Sequence, residues 1–153
     1  MMQVEIIVGS MLGASEYVAD AIEEQLAESE VKSKIHLQPD LNDISSENLW
    51  IICTSTHGAG DLPDNIQQFY EQLQNANLEG IKYLLIGLGD TSYDTFCQGA
   101  KTVDDILQKQ GAMQLAEPLF IDVLAHPIPE TVACQWLAQQ ISQHNVLANI
   151  VQV

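Results

Sequence analysis

The sequence predicts a single α/β domain in which helices cover both faces of a parallel sheet of five strands ordered 2-1-3-4-5. Three observations carry that expectation. Short apolar runs of strand length alternate along the chain with segments whose apolar residues recur at helical spacing. The chain has 153 residues, 46% of them hydrophobic, which is enough for one buried core and too few for two ordinary domains. One strand-like run alternates polar and apolar residues while the others are continuously apolar, which puts that run at a sheet edge and the others inside.

Residues 4–8 read as the first strand, and residues 17–28, with Val18, Ala21, Ile22 and Leu26 on one side, as the helix that follows it. Residues 34–38 are the alternating run, and His36 within it is expected to face solvent. Residues 49–53 read as a buried strand, and Ile66, Phe69, Tyr70 and Leu73 mark the helix behind it. Residues 83–88 form another buried run, followed by a helix marked by Val103, Ile106 and Leu107 that stops near Gly111. Residues 119–123 close the strand set, and residues 129–143, with Ala133, Trp136, Leu137 and Ile141, supply a last helix. Right-handed crossovers leave few ways to arrange these units, and the 2-1-3-4-5 order places the alternating strand at an edge. There is no internal repeat, linker or low-complexity segment.

Five basic residues against 21 acidic ones give a formal charge of -16, which repels nucleic acid and anionic lipid and favours basic protein partners. No apolar run approaches the ~20 residues of a membrane span, and the first residues run straight into a strand pattern without a basic signal region. A soluble, cytoplasmic protein is expected. Cys53, Cys97 and Cys134 are odd in number and widely spaced, so they are expected to be reduced and structural, with no metal or cluster ligand set.

In the predicted order the loops after the first, third and fourth strands meet at one rim. The first, Ser10, Met11, Leu12, Gly13, Ala14 and Ser15, is a small turn running into a helix start, where unpaired N–H groups can hold a phosphate without a basic side chain. It lacks the Gly-Lys-Ser/Thr ending of a nucleotide P-loop and the G-x-G-x-x-G of a dinucleotide site. The second, Ser55-Thr56-His57-Gly58-Ala59-Gly60-Asp61, sets two glycines beside a ring and can hold a flat ligand. The third runs from Leu88, Gly89 and Asp90 through Tyr93 to Phe96 and Cys97, with Tyr93 a candidate for a ligand face and Phe96 for anchoring the helix start.

Taken together, the three segments resemble the FMN-binding loops of flavodoxins, in particular the short MioC-type flavodoxins, and the FMN domains of sulfite reductase and cytochrome P450 reductase. The resemblance spans nearly the whole chain and implies a flavodoxin-like three-layer sandwich. It also implies that FMN is the cofactor and that the protein is an electron carrier, not an enzyme. By that resemblance Ser10, Gly13, Ser15 and the intervening amides hold the phosphate, and Tyr93 stacks on one flavin face. His57 occupies the other face, where many relatives carry a larger aromatic ring. Gly58 matches the residue whose peptide turns toward the reduced flavin N5, with Thr56 and Gly60 in the same loop, and Leu88, Gly89 and Asp90 line the ring edge. Met11 and Leu12 stand where relatives often carry polar side chains, which leaves the backbone as the main phosphate donor. The implied partners are a flavin reductase with a basic surface as donor and an iron–sulfur enzyme, such as biotin synthase, as acceptor.

Other readings share some of these residues. A phospho-acceptor receiver domain needs acids at the end of the first strand, where this chain has Gly9 and Ser10. A stand-alone flavin or quinone reductase fits the loops, although no nicotinamide-binding segment is recognisable. Met11 and Leu12 motivate a cofactor-free adaptor that keeps the fold. A hydrolase built on Ser55 and His57 is disfavoured by the absence of a nucleophile elbow.

Overall fold

The computed structural model describes residues 3–11 and 13–144. Its strands are β1 (Gln3–Gly9), β2 (Lys32–His36), β3 (Leu49–Ser55), β4 (Lys82–Gly89), β5 (Met113–Gln114) and β6 (Leu119–Asp122). Its α-helices are α1 (Ala14–Glu28), α2 (Gln67–Leu73), α3 (Gln98–Lys109) and α4 (Pro129–His144), with 3-10 turns at Leu41–Asp43 and Asp64–Ile66. All strand pairings are parallel, in the order β2-β1-β3-β4-β5, and β6 also pairs with β4.

The three central strands are apolar on both faces, and their two-residue period sorts them into two cores. Ile6, Val8, Ile51, Cys53, Leu84 and Ile86 pack with Val18, Ile22 and Leu26 of α1 and with Ala133 and Leu137 of α4. On the opposite face Ile7, Trp50, Ile52, Tyr83 and Leu85 pack with Phe69 and Leu73 of α2 and with Val103 and Leu107 of α3. The result is the expected three-layer arrangement. Each fully buried aliphatic or aromatic side chain contributes about 1.5–3 kcal/mol relative to exposure, so these two layers dominate the driving force for folding. Register aligns the strand ends as well. Gly9 sits level with Thr54, and Thr54 with Gly87, so the loops after β1, β3 and β4 leave the sheet side by side.

Two details differ from the sequence reading. The last sheet position is shared by two short strands, because residues 113–114 pair with the start of β4 and residues 119–122 with its end. The expected strand at 119–123 is the second of these, and the first is too short to show any periodicity.

His36 is the second difference, since it is only 7% exposed instead of facing solvent. Lys32 and Lys34 on its face of β2 are exposed, as an edge strand requires. His36, however, lies level with Ile7 and beside Glu5, which is itself 3% exposed. Its Nε2 is 2.6 Å from Glu5 Oε1, while Asn48 Nδ2 donates to Glu5 Oε2 at 2.7 Å. An alternating pattern reveals the polar face of a strand but not which end of that face later chain will cover. His36→Leu leaves a buried carboxylate with Asn48 as its remaining side-chain partner, and should cost about 3 kcal/mol in urea unfolding. Replacing both partners, Glu5→Leu with His36→Leu, should recover most of that loss. A double variant as unstable as the single one would show that the pairing is not what holds this end of β2.

Candidate functional site

The aligned loops open onto a cavity of about 460 Å³, within the roughly 300–1,000 Å³ usual for small-molecule sites. Met11, Ala14, Leu88 and Val123 contribute apolar wall, and Ser55, Thr56, Asp90 and Thr95 a few polar groups. His57, Gly58, Gly89, Tyr93 and Cys97 complete the lining. Ten residues expected at a ligand therefore meet on one surface: Met11, Ala14, Thr56, His57, Gly58, Leu88, Gly89, Asp90, Tyr93 and Cys97. Ser55, Thr95 and Val123 are additions to the expected set. Val123 carries a legible signal, since it directly follows a strand ending at the same rim.

Ser10, Gly13 and Ser15 lie in the first loop but off that wall, around the start of α1, and Leu12 lies outside the described residues. Gly13 is the N-cap of α1 at φ 93° and offers no side chain to cap the first-turn N–H groups of α1. Ser15 is fully buried and its Oγ has no hydrogen-bond partner among the described residues. A buried hydroxyl without a partner costs about 1–3 kcal/mol, so it favours a ligand that supplies one. Ser10 Oγ accepts from the Gly13 N–H at 2.9 Å, which leaves its own hydroxyl hydrogen to donate elsewhere. A carboxylate oxygen of Glu16 also lies near this helix start, 3.4 Å from where a Cβ on Gly13 would be. It competes for the helix dipole, so hydrogen bonds must carry most of any anion binding here.

The second loop folds back on itself. His57 N–H donates to Asp61 O at 2.7 Å and Asp61 N–H returns to His57 O at 2.8 Å. Between them Gly58 and Gly60 take φ of 54° and 109°, which only glycine adopts without strain. Around Gly58 a Cβ would meet nothing within 4 Å, whereas at Gly60 it would press on Thr95 and Gln98 at 3.3 and 3.2 Å. Gly60 therefore shapes the loop against α3, and Gly58 lies open toward solvent and cavity. Thr56 Oγ1 accepts from the Gly99 N–H at 2.9 Å, so its hydroxyl docks the loop on the start of α3. His57 is exposed.

In the third loop Tyr93 borders the cavity yet is 63% exposed, leaving most of its ring without a protein partner. Phe96 is half-buried and off the wall, with Cδ1 3.0 Å from where a Cβ on Gly89 would be. Cys97, at the N-cap of α3, is fully buried, and burial pushes its thiol up to about 12, so it stays protonated and unreactive at neutral pH. Burial raises Cys53 to about 12 as well. Asp122, which the sequence reading does not single out, holds this loop. It accepts from Thr91 Oγ1 at 2.5 Å, from Thr91 N–H at 3.4 Å and from Leu124 N–H at 3.0 Å. No group of three or more His, Cys, Asp or Glu positioned for a metal occurs among the described residues, nor does any helix long and apolar enough to cross a membrane.

The flavodoxin family model matches residues 6–136. The chain belongs to the flavodoxin family. It is 40% identical over 144 residues to protein MioC of Escherichia coli O157:H7, covering 93% of this chain and 98% of that one. It is 41% identical over 140 residues to the MioC homolog of Pasteurella multocida, covering 90% and 95%. Among solved structures, a cysteine-to-alanine mutant of flavodoxin from Pseudomonas aeruginosa superposes with a TM-score of 0.85 at 29% identity, covering 99% of this chain and all of that one. Flavodoxins are FMN-binding electron carriers and not enzymes. The residues present fit such a cofactor: an apolar slot at a sheet switch point, flanked by Tyr93 and His57, beside an uncapped helix start with an unpartnered buried hydroxyl.

The Asp122 tie gives the third loop a pH dependence with a defined sign. The hydrogen bond from the Thr91 side chain holds the Asp122 carboxyl below its ordinary value. Stability from a lowered carboxyl is present above the unfolded value near ~3.9 and lost as pH falls through the folded one. Amide-exchange protection at Thr91 and Leu124 should therefore fall from about pH 5 to pH 3, relative to intrinsic rates. In Asp122→Ala the protection should be low throughout, and a pH response equal to that of the unaltered protein would refute the assignment.

Proposed function

We propose that this flavodoxin binds FMN in the cavity and carries electrons between a reductase with a basic surface and an iron–sulfur enzyme. The single observation behind this reading is that an apolar slot of about 460 Å³ adjoins an uncapped α1 start whose buried Ser15 hydroxyl has no partner. That combination suits a flat ring joined to one phosphate. Bound FMN would supply the redox chemistry, taking up and releasing one or two electrons.

The chain's own residues do the rest. Ser15 Oγ, Ser10 Oγ and the first-turn amides of α1 bind the phosphate without a basic side chain. Tyr93 and His57 would lie against the ring, and Leu88 and Val123 supply apolar wall beside it. Gly58, at positive φ with open space around it, can reorient its peptide to offer a hydrogen bond as the ring changes protonation. The carboxylates of Asp61, Asp64, Asp90 and Asp94 lie in or beside the ring loops. At a separation of about 10 Å, one such charge would disfavour added negative charge on a bound ring by about 1.7 kcal/mol at an effective dielectric near 20, before screening. They therefore resist electron uptake and lower the potential, while the same charges draw in a basic donor.

Fluorescence titration should show FMN bound in preference to riboflavin, and equal affinities would show that the α1 start does not hold a phosphate. Electron transfer from a basic reductase should slow with added salt, within the ~10–10³-fold range that electrostatic steering supplies. Charge reversal at Asp61 and Asp94 should slow it further. A transfer rate insensitive to salt would rule out the acidic rim as the docking determinant.

A further inference from the structure

The 3-10 turn Asp64–Ile66 lies beyond the second loop, yet its polar contacts go to the first. Asn65 Oδ1 accepts from the Ser10 N–H at 2.9 Å. Its Nδ2 donates to Val8 O at 2.7 Å, near the end of β1 and just before that loop, and to Leu37 O at 2.9 Å, just past β2. One side-chain amide thus joins three segments that are 28 to 57 residues away in sequence. The arrangement has only one amide orientation, because a flip would set the NH₂ against the Ser10 N–H and the oxygen against two carbonyls. Beside it the Asp64 N–H points at Met11 Sδ at 3.5 Å, so the same turn clamps two consecutive residues of the first loop.

This clamp ties down Ser10 and Met11 at the entrance of a loop with few polar side chains. With its N–H taken by Asn65, Ser10 has a fixed backbone, and its Oγ then accepts from Gly13 N–H, the residue that caps α1. The order of contacts is Asn65 to Ser10, Ser10 to Gly13, and Gly13 to the first turn of α1. Asn65 does not line the cavity.

We propose that Asn65 is the positioning residue of the phosphate-binding loop, holding Ser10 and through it Gly13 in place for a phosphate monoester that Asn65 itself does not touch. The inference rests on the FMN reading above.

The experiment compares two ligands on two proteins. Apoprotein and its Asn65→Ala variant are titrated with FMN and with riboflavin, which share the ring and differ in the phosphate. The variant should bind FMN about tenfold or more weakly, the scale set by losing several hydrogen bonds, while riboflavin affinity changes by less than about twofold. Riboflavin binding in the variant also serves as the check that the sheet and ring loops are intact. A parallel loss of both ligands, loss of all binding, or no change in either would overturn the proposal, since each assigns Asn65 a general structural role or none. If the unaltered protein already fails to distinguish FMN from riboflavin, the phosphate-loop reading itself fails, and that outcome is visible before any variant is made.

Discussion

The feature on which everything else depends is the double-sided burial of β1, β3 and β4. Ile6, Ile7, Val8, Ile51, Ile52, Leu84 and Leu85 are all fully buried, so neither sheet face can be left to water. Helices must cover both faces, and parallel pairing obliges each crossover to run from the carboxyl end of one strand to the amino end of another. Chain order then reverses between β1 and β3, with β2 on one side and β3 and β4 on the other. The crevice outside the carboxyl ends at that reversal follows from topology, before any loop residue is considered.

What the loops add is fixation by single polar side chains at the cavity wall or just behind it. Thr56 fastens the second loop to α3, Asp122 fastens the third to the turn after β6, and Asn65 fastens the first to β1 and to the end of β2. Each bond links residues far apart in sequence, so each forms only after the sheet is assembled. Preorganisation of this kind lowers the entropy that a ligand must otherwise offset on binding. The buried Glu5–His36 pair, joined by half-buried Asn48, strengthens the same side of the sheet, since His36 immediately precedes the Leu37 carbonyl that receives Asn65.

Charge is arranged differently from packing. The chain carries -16, but the cavity wall is mainly apolar and the acids of the ring loops, Asp61, Asp64 and Asp94, are exposed. Excess negative charge outside a low-dielectric slot is unfavourable for an added electron and favourable for a cationic partner, so under the proposed function one distribution would serve both potential and encounter.

Periodicity and the residue types of the strand ends were enough to determine the fold class, the edge position of β2, the helices and the three loops that meet. These are properties of local chemistry: apolar runs must be buried, and small residues permit turns. The paired chemistry of His36 and Glu5 was invisible, because period-2 alternation carries no information on which later segment covers a strand end. The split of the last strand was equally hidden, since two residues at 113–114 show no pattern until β4 lies beside them. Within the loops, the resemblance assigned Ser10, Gly13 and Ser15 to the helix start and His57 and Tyr93 to the ring side. Only the tertiary structure moved Met11 from the first loop onto the ring-side wall and put Phe96 behind Gly89. It also supplied Val123, Asp122 and Asn65, whose roles depend on partners tens of residues away. Local sequence sets what a segment can form, whereas the direction of a side chain at a strand end is decided by whatever the fold brings against it.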